Sequence, residues 1–386
     1  MAYNFDKIIH RNNTNSVKYD LNKQVFGASE LMPMWVADMD FATPDFIRDA
    51  IVERANHPVY GYTFRGKEFN QSIVQWMKKR HTWDIKEKWI SFCPGIVPAL
   101  NLAVLSFTQP DDEIIVQPPV YFPFFSAVKD HGRTLVYNQL CENNGRYNID
   151  FNDLEKKAKT AKMLLFCHPH NPVGRVWTKK ELQQLIDICH RNKVIIISDE
   201  IHADLILGKH KHIPLLSLKD TENIVLSCYA PSKTFNLAGL ATSYLITPDK
   251  ELKKKFDDQI NKLHLGMGNI FGTTALVAAY ENGEDWLDQL LDYLEDNFNT
   301  LESFFKEKLP RIRVIPTEAT YLTWLDFRDY KLSSEELKQR VIKKAGLGLN
   351  DGPMFGPGGE GFQRINIALP RAKLLEALDR LVIGFA

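Results

Sequence analysis

Short apolar segments alternate with helix-length segments through much of the chain. Seven of these segments are rich in Val, Ile and Leu and are apolar at successive positions rather than at alternate ones. Strands that are buried between two layers of helices have this pattern, whereas strands with one exposed face alternate. The predicted strands are Ile90–Cys93, Glu113–Gln117, Thr134–Tyr137, Met163–Cys167, Val194–Ser198, Ile224–Ser227 and Ser243–Ile246.

The segments between these strands have helical periodicity. In residues 179–192, for example, Leu182, Leu185, Ile186 and Cys189 fall on one helical face. Buried strands with interposed helices predict an α/β fold, in which a mostly parallel seven-stranded sheet lies between helices.

From about residue 286 the pattern changes to long amphipathic helices and two further strands, Tyr321–Asp326 and Gln363–Ala368. We therefore predict a large domain at residues 45–285. Residues 1–44 and 286–386, the two chain ends, are predicted to form a smaller α+β domain.

Composition narrows the class of protein. The chain has 386 residues, 44% hydrophobic and 25% charged, which is typical of a globular protein and not of a disordered, collagen-like or coiled-coil chain. Lys plus Arg and Asp plus Glu are both 48, so the whole chain has no basic field for a nucleic-acid backbone. No nucleic-acid partner is expected.

Targeting and membrane signals are not expected either. The start, Met1-Ala2-Tyr3-Asn4-Phe5-Asp6-Lys7, does not resemble a secretory signal, and apolar runs such as residues 194–197 are far shorter than a membrane span. The five cysteines are an odd number without a CxxC pair, which indicates reduced thiols. A cytoplasmic protein without a membrane partner is therefore expected.

Unusual polar residues follow several predicted strands, at the sheet edge where open α/β sheets bind ligands. Taken alone, each segment has an ordinary explanation: a solvated strand end, a turn or a helix entry. Together, in one order on one sheet, they indicate a site. The segments are Pro94-Gly95-Ile96-Val97, His168-Pro169-His170-Asn171-Pro172-Val173-Gly174, Asp199-Glu200-Ile201-His202 and Cys228-Tyr229-Ala230-Pro231-Ser232-Lys233-Thr234-Phe235-Asn236.

The order of three motifs resembles a known family. Asn171-Pro172-x-Gly174, then Asp199, then Ser232-Lys233 resemble the pyridoxal-phosphate enzymes of the aspartate aminotransferase fold, fold type I. Four stretches more narrowly resemble the MalY/PatB group of cystathionine β-lyases, which are C–S lyases. They are Met34-Trp35-Val36-Ala37-Asp38-Met39-Asp40-Phe41, Tyr60-Gly61-Tyr62, Pro118-Pro119-Val120-Tyr121 and Asp199-Glu200-Ile201-His202-Ala203-Asp204.

The resemblance implies the cofactor pyridoxal 5′-phosphate, held by the large domain, and roles for its ring partners. Lys233 would form the Schiff base and act as general base, which requires an unprotonated amine. Asp199 would pair with the pyridine nitrogen, and Asn171 would bind the phenolic oxygen. Tyr121 would stack on the ring, and Lys233, Asp199 and Tyr121 form the expected catalytic set. His202 stands where aminotransferases commonly carry a tyrosine, so its role among the cofactor contacts stays open.

The phosphate would bind to backbone N–H groups of Gly95, Ile96 and Val97 at a helix N-terminus. Ser232 and Ser227 are possible hydroxyl donors. Many relatives carry an arginine eight residues after the lysine, where this chain has Ala241.

A tyrosine of the neighbouring subunit reaches the phosphate in relatives, and Tyr60 matches it. The resemblance therefore implies a homodimer with shared active sites.

The partner implied is a small-molecule amino-acid substrate. Arg364 resembles the arginine that takes its carboxylate, with Ala37 and Tyr60 also at the substrate site. We expect no metal, because His168-x-His170 and His210-x-His212 lack a further ligand at metal-site spacing.

Three functions follow from the resemblance. The leading one is α,β-elimination on cystathionine or related S-substituted cysteines, which gives a thiol (homocysteine), pyruvate and ammonia. An aminotransferase would use the same cofactor residues, and a regulatory protein on the same fold is the third alternative.

Overall fold

The structure, a computed structural model, describes residues 2–386. Its helices are α1 Val17–Asp20, α2 Asn22–Phe26, α3 Asp45–Asn56, α4 Lys67–His81, α5 Ile96–Phe107, α6 Pro123–Lys129, α7 Phe151–Ala158, α8 Lys179–Asn192, α9 Pro231–Thr234, α10 Lys250–Lys262, α11 Ile270–Asn282, α12 Glu284–Lys308, α13 Ser334–Lys343 and α14 Arg371–Phe385. Its strands are β1 Met32–Pro33, β2 Ile90–Cys93, β3 Glu113–Val116, β4 Thr134–Tyr137, β5 Cys141–Asn143, β6 Arg146–Asn148, β7 Met163–Cys167, β8 Ile195–Asp199, β9 Val225–Tyr229, β10 Ser243–Ile246, β11 Arg313–Val314, β12 Leu322–Asp326, β13 Leu347–Gly348, β14 Asn350–Asp351 and β15 Phe362–Asn366.

The main sheet has seven strands in the order β2-β10-β9-β8-β7-β3-β4. All neighbours are parallel except at β10, which is antiparallel to both β2 and β9. The predicted α/β fold with a mostly parallel seven-stranded sheet is confirmed. One strand differs from its sequence pattern: β4 is only partly buried, because it lies at the sheet edge and pairs with β3 alone.

Helices cover both faces of this sheet. Successive residues of one strand belong to different halves of the core: Leu164 and Ile196 pack on one side, Leu165 and Ile197 on the other. Because both sets are excluded from water, the strands are apolar at every position, which is the pattern that the sequence shows. No helix of residues 2–386 is long and apolar enough to span a membrane.

A second sheet, in the order β11-β12-β15-β14, lies in the last quarter of the chain. Near the start of the chain, Met32 pairs with Leu347 where β1 joins β13. The two chain ends are therefore in contact, as the proposed small domain requires. The boundaries at residues 45–285 stay a prediction.

Helix α8 matches the residues predicted from its periodicity. It begins after Thr178, whose hydroxyl accepts from the backbone N–H of Glu181, while the Glu181 carboxylate accepts from the backbone N–H of Thr178. This capping box satisfies two N–H groups that the helix leaves free. The helix ends at Asn192, and the residue that caps it, Lys193, has a left-handed backbone.

A buried ion pair anchors the loop after β7. Arg175 Nη1 lies 2.9 Å from Glu318 Oε2, and its Nη2 lies 2.6 Å from Glu181. The Glu318 carboxylate also accepts from the backbone N–H of Val176 at 2.8 Å. Because Arg175 and Glu318 are both buried, this contact fixes the loop that carries Asn171.

We expect Glu318→Ala to lower the free energy of unfolding by about 3 kcal/mol, because it leaves the buried Arg175 with one acidic partner instead of two. Urea unfolding measures the change, with Glu307→Ala, an exposed residue on α12, as the matched control. Equal midpoints for the two variants would contradict the anchoring role of Glu318.

Candidate active site

A cavity of about 250 Å³ lies at the carboxyl ends of the central strands. Its walls come from the loops after β2, β3, β7, β8 and β9, and from the segment before β10. The lining residues are Ala37, Pro94, Gly95, Ile96, Val97, Pro98, Tyr121, Cys167, Asn171, Asp199, Ile201, His202, Ala230, Ser232, Lys233, Ala238, Ala241 and Thr242. Ten of the thirteen residues predicted for the site are among them.

Lys233, in the short helix α9 after β9, projects into this cavity. Its Nζ donates to the carbonyl oxygen of Ala37 at 2.6 Å. Burial and then the positive charge of Arg364 lower the pKa of Lys233 to about 8, against the opposing charges of Asp38 and Asp199. A free amine is therefore accessible near neutral pH, as a nucleophile or general base requires.

Asp199 ends β8 and is buried at the cavity floor. Its Oδ1 accepts from the backbone N–H of Ile201 at 3.1 Å. Burial raises the pKa of Asp199 to about 7, although the hydrogen bond from Ile201 and the charge of Lys233 lower it. A cationic partner inside the cavity would stabilise the ionised form of this carboxyl.

Backbone N–H groups line the opposite end of the cavity. Gly95 caps the N-terminus of the twelve-residue helix α5, and Ile96 and Val97 form its first turn. Such a helix start favours an anion. Two hydroxyl groups, those of Ser232 and Thr242, face the same cavity.

Arg364 is a buried residue of β15 that lies beside the cavity. It contacts Asn171, which lines the cavity. Its Nη1 donates to Asn171 Oδ1 at 2.9 Å, and its Nη2 donates to the Trp35 carbonyl at 2.8 Å and to Asn350 Oδ1 at 2.5 Å. None of these partners is a carboxylate, and Arg364 Nε has no partner within residues 2–386. Burial lowers the pKa of Arg364 to about 10. A carboxylate ligand would neutralise this guanidinium.

Tyr121 and His202 complete the cavity wall. Burial raises the pKa of the Tyr121 hydroxyl and lowers the pKa of His202, which is therefore neutral at physiological pH. His202 Nδ1 has no hydrogen-bond partner among the described residues. Tyr321, which the sequence did not single out, packs edge-on to His202 and donates its hydroxyl to the Ala37 carbonyl at 2.9 Å.

Besides Arg364, two predicted residues lie outside this cavity wall. Ser227, inside β9, is fully buried, and its hydroxyl has no partner within residues 2–386. Tyr60 is 59% exposed, and its hydroxyl donates to the Ala55 carbonyl at 2.5 Å. Sequence reasoning had also missed Thr242 and Asn350, because no motif marks a hydroxyl or an amide that reaches the site from a different element.

The two His-x-His pairs are not as isolated as their spacing indicates. His168 and His212 come together with Glu200, and one nitrogen or oxygen of each lies within 4.8 Å of the others. His212 Nε2 and the Tyr229 hydroxyl share Glu200 Oε2, at 2.7 and 2.6 Å. Burial lowers the pKa of His168 to about 3, so this imidazole is neutral. The expected absence of a metal stays a prediction, but the ground given for it, a missing third ligand, was wrong.

A comparison of this chain with known protein families identifies the family to which it belongs. The sequence model described as "Aminotransferase class I and II" matches residues 29–381, nearly the whole chain. This chain belongs to that family. The aminotransferase family match agrees with the sheet order and with the position of the cavity at the strand ends.

Individual relatives of this family are also similar over their full length. The chain is 45% identical to cystathionine β-lyase PatB of Bacillus subtilis (strain 168), over 98% of each chain. The crystal structure of cystalysin from Treponema denticola, which contains pyridoxal 5′-phosphate, has a TM-score of 0.96 and 38% identity, covering 100% of this chain and 99% of that one. The pyridoxal-phosphate-bound C–S lyase of Staphylococcus hominis has a TM-score of 0.93 and 37% identity, with the same coverage.

The cavity fits the cofactor of these relatives. Pyridoxal 5′-phosphate carries an anionic phosphate, a basic ring nitrogen and an aldehyde, and the cavity offers a complementary group for each: the N-terminus of α5, the buried Asp199 carboxyl and the Lys233 amine. Burial raises the pKa of Asp199, and a protonated ring nitrogen beside this carboxyl would favour its ionised form.

Because of Asp199, we expect the stability of the cofactor-free protein to fall as the pH rises. The folded pKa of this residue, about 7, exceeds its ordinary value of 3.8, so unfolding between these values releases a proton and becomes easier as the pH rises. We expect Asp199→Asn to remove this decline and to stabilise the cofactor-free protein at pH 8 by up to roughly 4 kcal/mol.

Urea unfolding of both proteins between pH 4 and pH 8 measures this difference, with Asp258→Asn, on the exposed face of α10, as the control. Wild type and Asp199→Asn curves that run parallel across this pH range would contradict the raised pKa.

Proposed function

We propose that this protein is a pyridoxal-phosphate-dependent carbon–sulfur β-lyase. Cystathionine or a related S-substituted cysteine would react with water to give a thiol, pyruvate and ammonia. The observation that carries the reaction type is the 45% identity to a cystathionine β-lyase over 98% of both chains. The cavity supplies the groups which that chemistry needs.

The residues that would hold the cofactor are those that line the cavity. Asp199 would bind the ring nitrogen, Asn171 the phenolic oxygen and Tyr121 the ring face. The first turn of α5 and Ser232 would bind the phosphate, with Thr242 as a further donor. When bound, the cofactor supplies an electron sink next to the substrate Cα.

Lys233 would move the proton. Its amine, with a pKa lowered to about 8, can take the Cα proton at neutral pH as a general base. The Ala37 carbonyl is the hydrogen-bond acceptor that holds this amine inside the cavity when nothing else is bound to it. Removal of the Cα proton leaves the electron pair that expels the sulfur from Cβ.

Arg364 would orient the substrate. A planar guanidinium that lacks an acidic partner can bind both oxygens of an α-carboxylate. Asn350 and the Trp35 carbonyl fix the plane of this guanidinium through Nη2, so the side chain is held in place before substrate arrives. The substrate would then lie between Arg364 and Lys233, with Ala37 beside it.

We further propose that the active unit is a homodimer, in the cytoplasm, in which Tyr60 reaches the phosphate of the partner subunit. Large apolar side chains are exposed along residues 59–64: Val59 is 61% exposed, Tyr62 99% and Phe64 89%. An apolar strip of this kind is typical of a surface that another protein covers. A second copy of the chain would cover it and bring Tyr60 to a site.

The reaction is tested by incubating the holoenzyme with cystathionine and no keto acid. We expect pyruvate and free thiol to appear in equal amounts, and we expect Lys233→Ala to lower the rate by at least about a thousandfold, because the general base is lost. Lys254→Ala, on the exposed face of α10, is the control. Product formation that depends on an added keto acid would identify an aminotransferase instead.

The shared site is tested by complementation. Mixed Tyr60→Ala and Lys233→Ala subunits form heterodimers in which one site keeps both residues. We expect recovery of up to about a quarter of the wild-type sites under random exchange. The experiment requires that Tyr60→Ala alone is strongly impaired and that exchange is verified by mass. With both requirements met, no recovery would mean that Tyr60 and Lys233 serve the same subunit's site.

A further inference from the structure

Residues 35–40, called the strap here, bring Ala37 to the cavity wall and are held through their backbone. Side chains from distant parts of the chain bond to its carbonyls. Arg364 binds the carbonyl of Trp35, and Asn366 Nδ2 binds those of Val36 and Asp38, each at 2.7 Å. The strap is therefore part of the site and not a passive connection.

The centre of the strap is the carbonyl of Ala37. It accepts from Lys233 Nζ at 2.6 Å and from the Tyr321 hydroxyl at 2.9 Å. The position of this oxygen determines where the free Lys233 amine rests. A group that fixes Asp38, the next residue, therefore also fixes the Ala37 carbonyl oxygen that accepts from Lys233.

Arg11, near the start of the chain, binds that next residue. It makes a two-pronged contact with Asp38, Nη1 to Oδ1 at 2.9 Å and Nη2 to Oδ2 at 2.6 Å. Its Nη1 also donates to Asp40 Oδ1 at 2.6 Å and to the carbonyl of Met39 at 3.2 Å. One guanidinium thus holds three successive residues of the strap.

A second cation supports the same acids. Lys18 is 1% exposed, and its Nζ lies 2.8 Å from Asp40 Oδ2 and 3.6 Å from Asp38 Oδ1. Two cations and two carboxylates thus form a compact network around the strap. Burial of such a network is favourable only when every charge is matched.

We propose that Arg11 is a positioning residue for the reaction: it fixes the Ala37 carbonyl through Asp38, and it offsets the negative charge that Asp38 places near the Lys233 amine. The proposal deepens the function proposed above, since it concerns the same general base. Arg11 itself touches neither the cavity nor Lys233. Its side chain is 21% exposed, so it can be replaced without opening the core.

The charged groups around Lys233 define the sign of the effect. Asp38 on the strap and Asp199 on β8 favour its protonated form, whereas Arg364 on β15 disfavours it. His202 and Tyr321, which also face this region, are neutral in the relevant range because of burial. Removing Arg11 leaves the charge of Asp38 less compensated, and removing the charge of Asp38 does the reverse.

The experiment compares Arg11→Met with Asp38→Asn. In the holoenzyme, the visible absorbance of the cofactor follows protonation at the Lys233 nitrogen and is titrated between pH 6 and pH 10. We expect the midpoint to rise in Arg11→Met and to fall in Asp38→Asn, each by roughly half a unit to one unit. The pH at which kcat reaches half its maximum should move in the same two directions.

Opposite shifts distinguish this role from a merely structural one, because loosening the strap would affect both variants alike. Arg11→Lys keeps the charge but not the fork, so its midpoint should stay near wild type while kcat falls several-fold with little change in KM. Lys308→Met and Glu307→Gln, an exposed pair on α12, are the matched charge controls and should shift neither midpoint.

Shifts in the same direction, or no shift in either variant, would overturn the proposal. Thermal unfolding of each holoenzyme checks that the variants are folded. If Asp38→Asn does not fold, Arg11→Lys still tests the positioning role. The absorbance titration needs no sulfur substrate. Opposite midpoint shifts in a protein that forms no pyruvate would therefore refute the proposed lyase reaction while supporting the role of Arg11.

Discussion

The register between three parallel strands determines where Asn171, Asp199 and Lys233 lie. Asp199 at the end of β8 pairs with Cys167 on β7 and with Cys228 on β9. Because parallel strands run in the same direction, the loops that follow them leave at one edge, and Asn171 and Lys233 reach the cavity beside Asp199. A change of register would move these side chains apart and leave no site.

Unmatched charge is the common property of the groups at this edge. Arg364 is buried without an acidic partner, Lys233 has a lowered pKa and Asp199 a raised one. A low-dielectric cavity makes each of these charges costly in the protein alone. A ligand with an anionic phosphate, a basic ring nitrogen and an α-carboxylate would supply the missing partners. Binding of such a ligand would therefore offset the free-energy cost of burying these groups.

The sequence predicted the sheet and most of the cavity, since both depend on local signals. Apolar runs report buried strands, and motifs such as Ser232-Lys233 occupy strand ends. It did not predict that Asn350 contacts Arg364, because that contact depends on the register of β14 against β15. Nor could spacing show that Glu200 lies beside His168, because three separate segments converge there. The partial exposure of β4 follows from its position as the last strand of the sheet, and the apolar pattern of the sequence does not indicate strand order.

The site draws on both ends of the polypeptide. Ala37, which holds the Lys233 amine, lies in the first tenth of the chain, and Arg364 lies 22 residues before the last. During synthesis all seven strands of the central sheet are therefore made before Arg364. A chain that terminated early, after the sheet but before β15, would have the residues that line the cavity without Arg364, the proposed carboxylate partner of the substrate. Under the proposed role of Arg364, complete translation is thus a structural condition for selectivity toward amino acids.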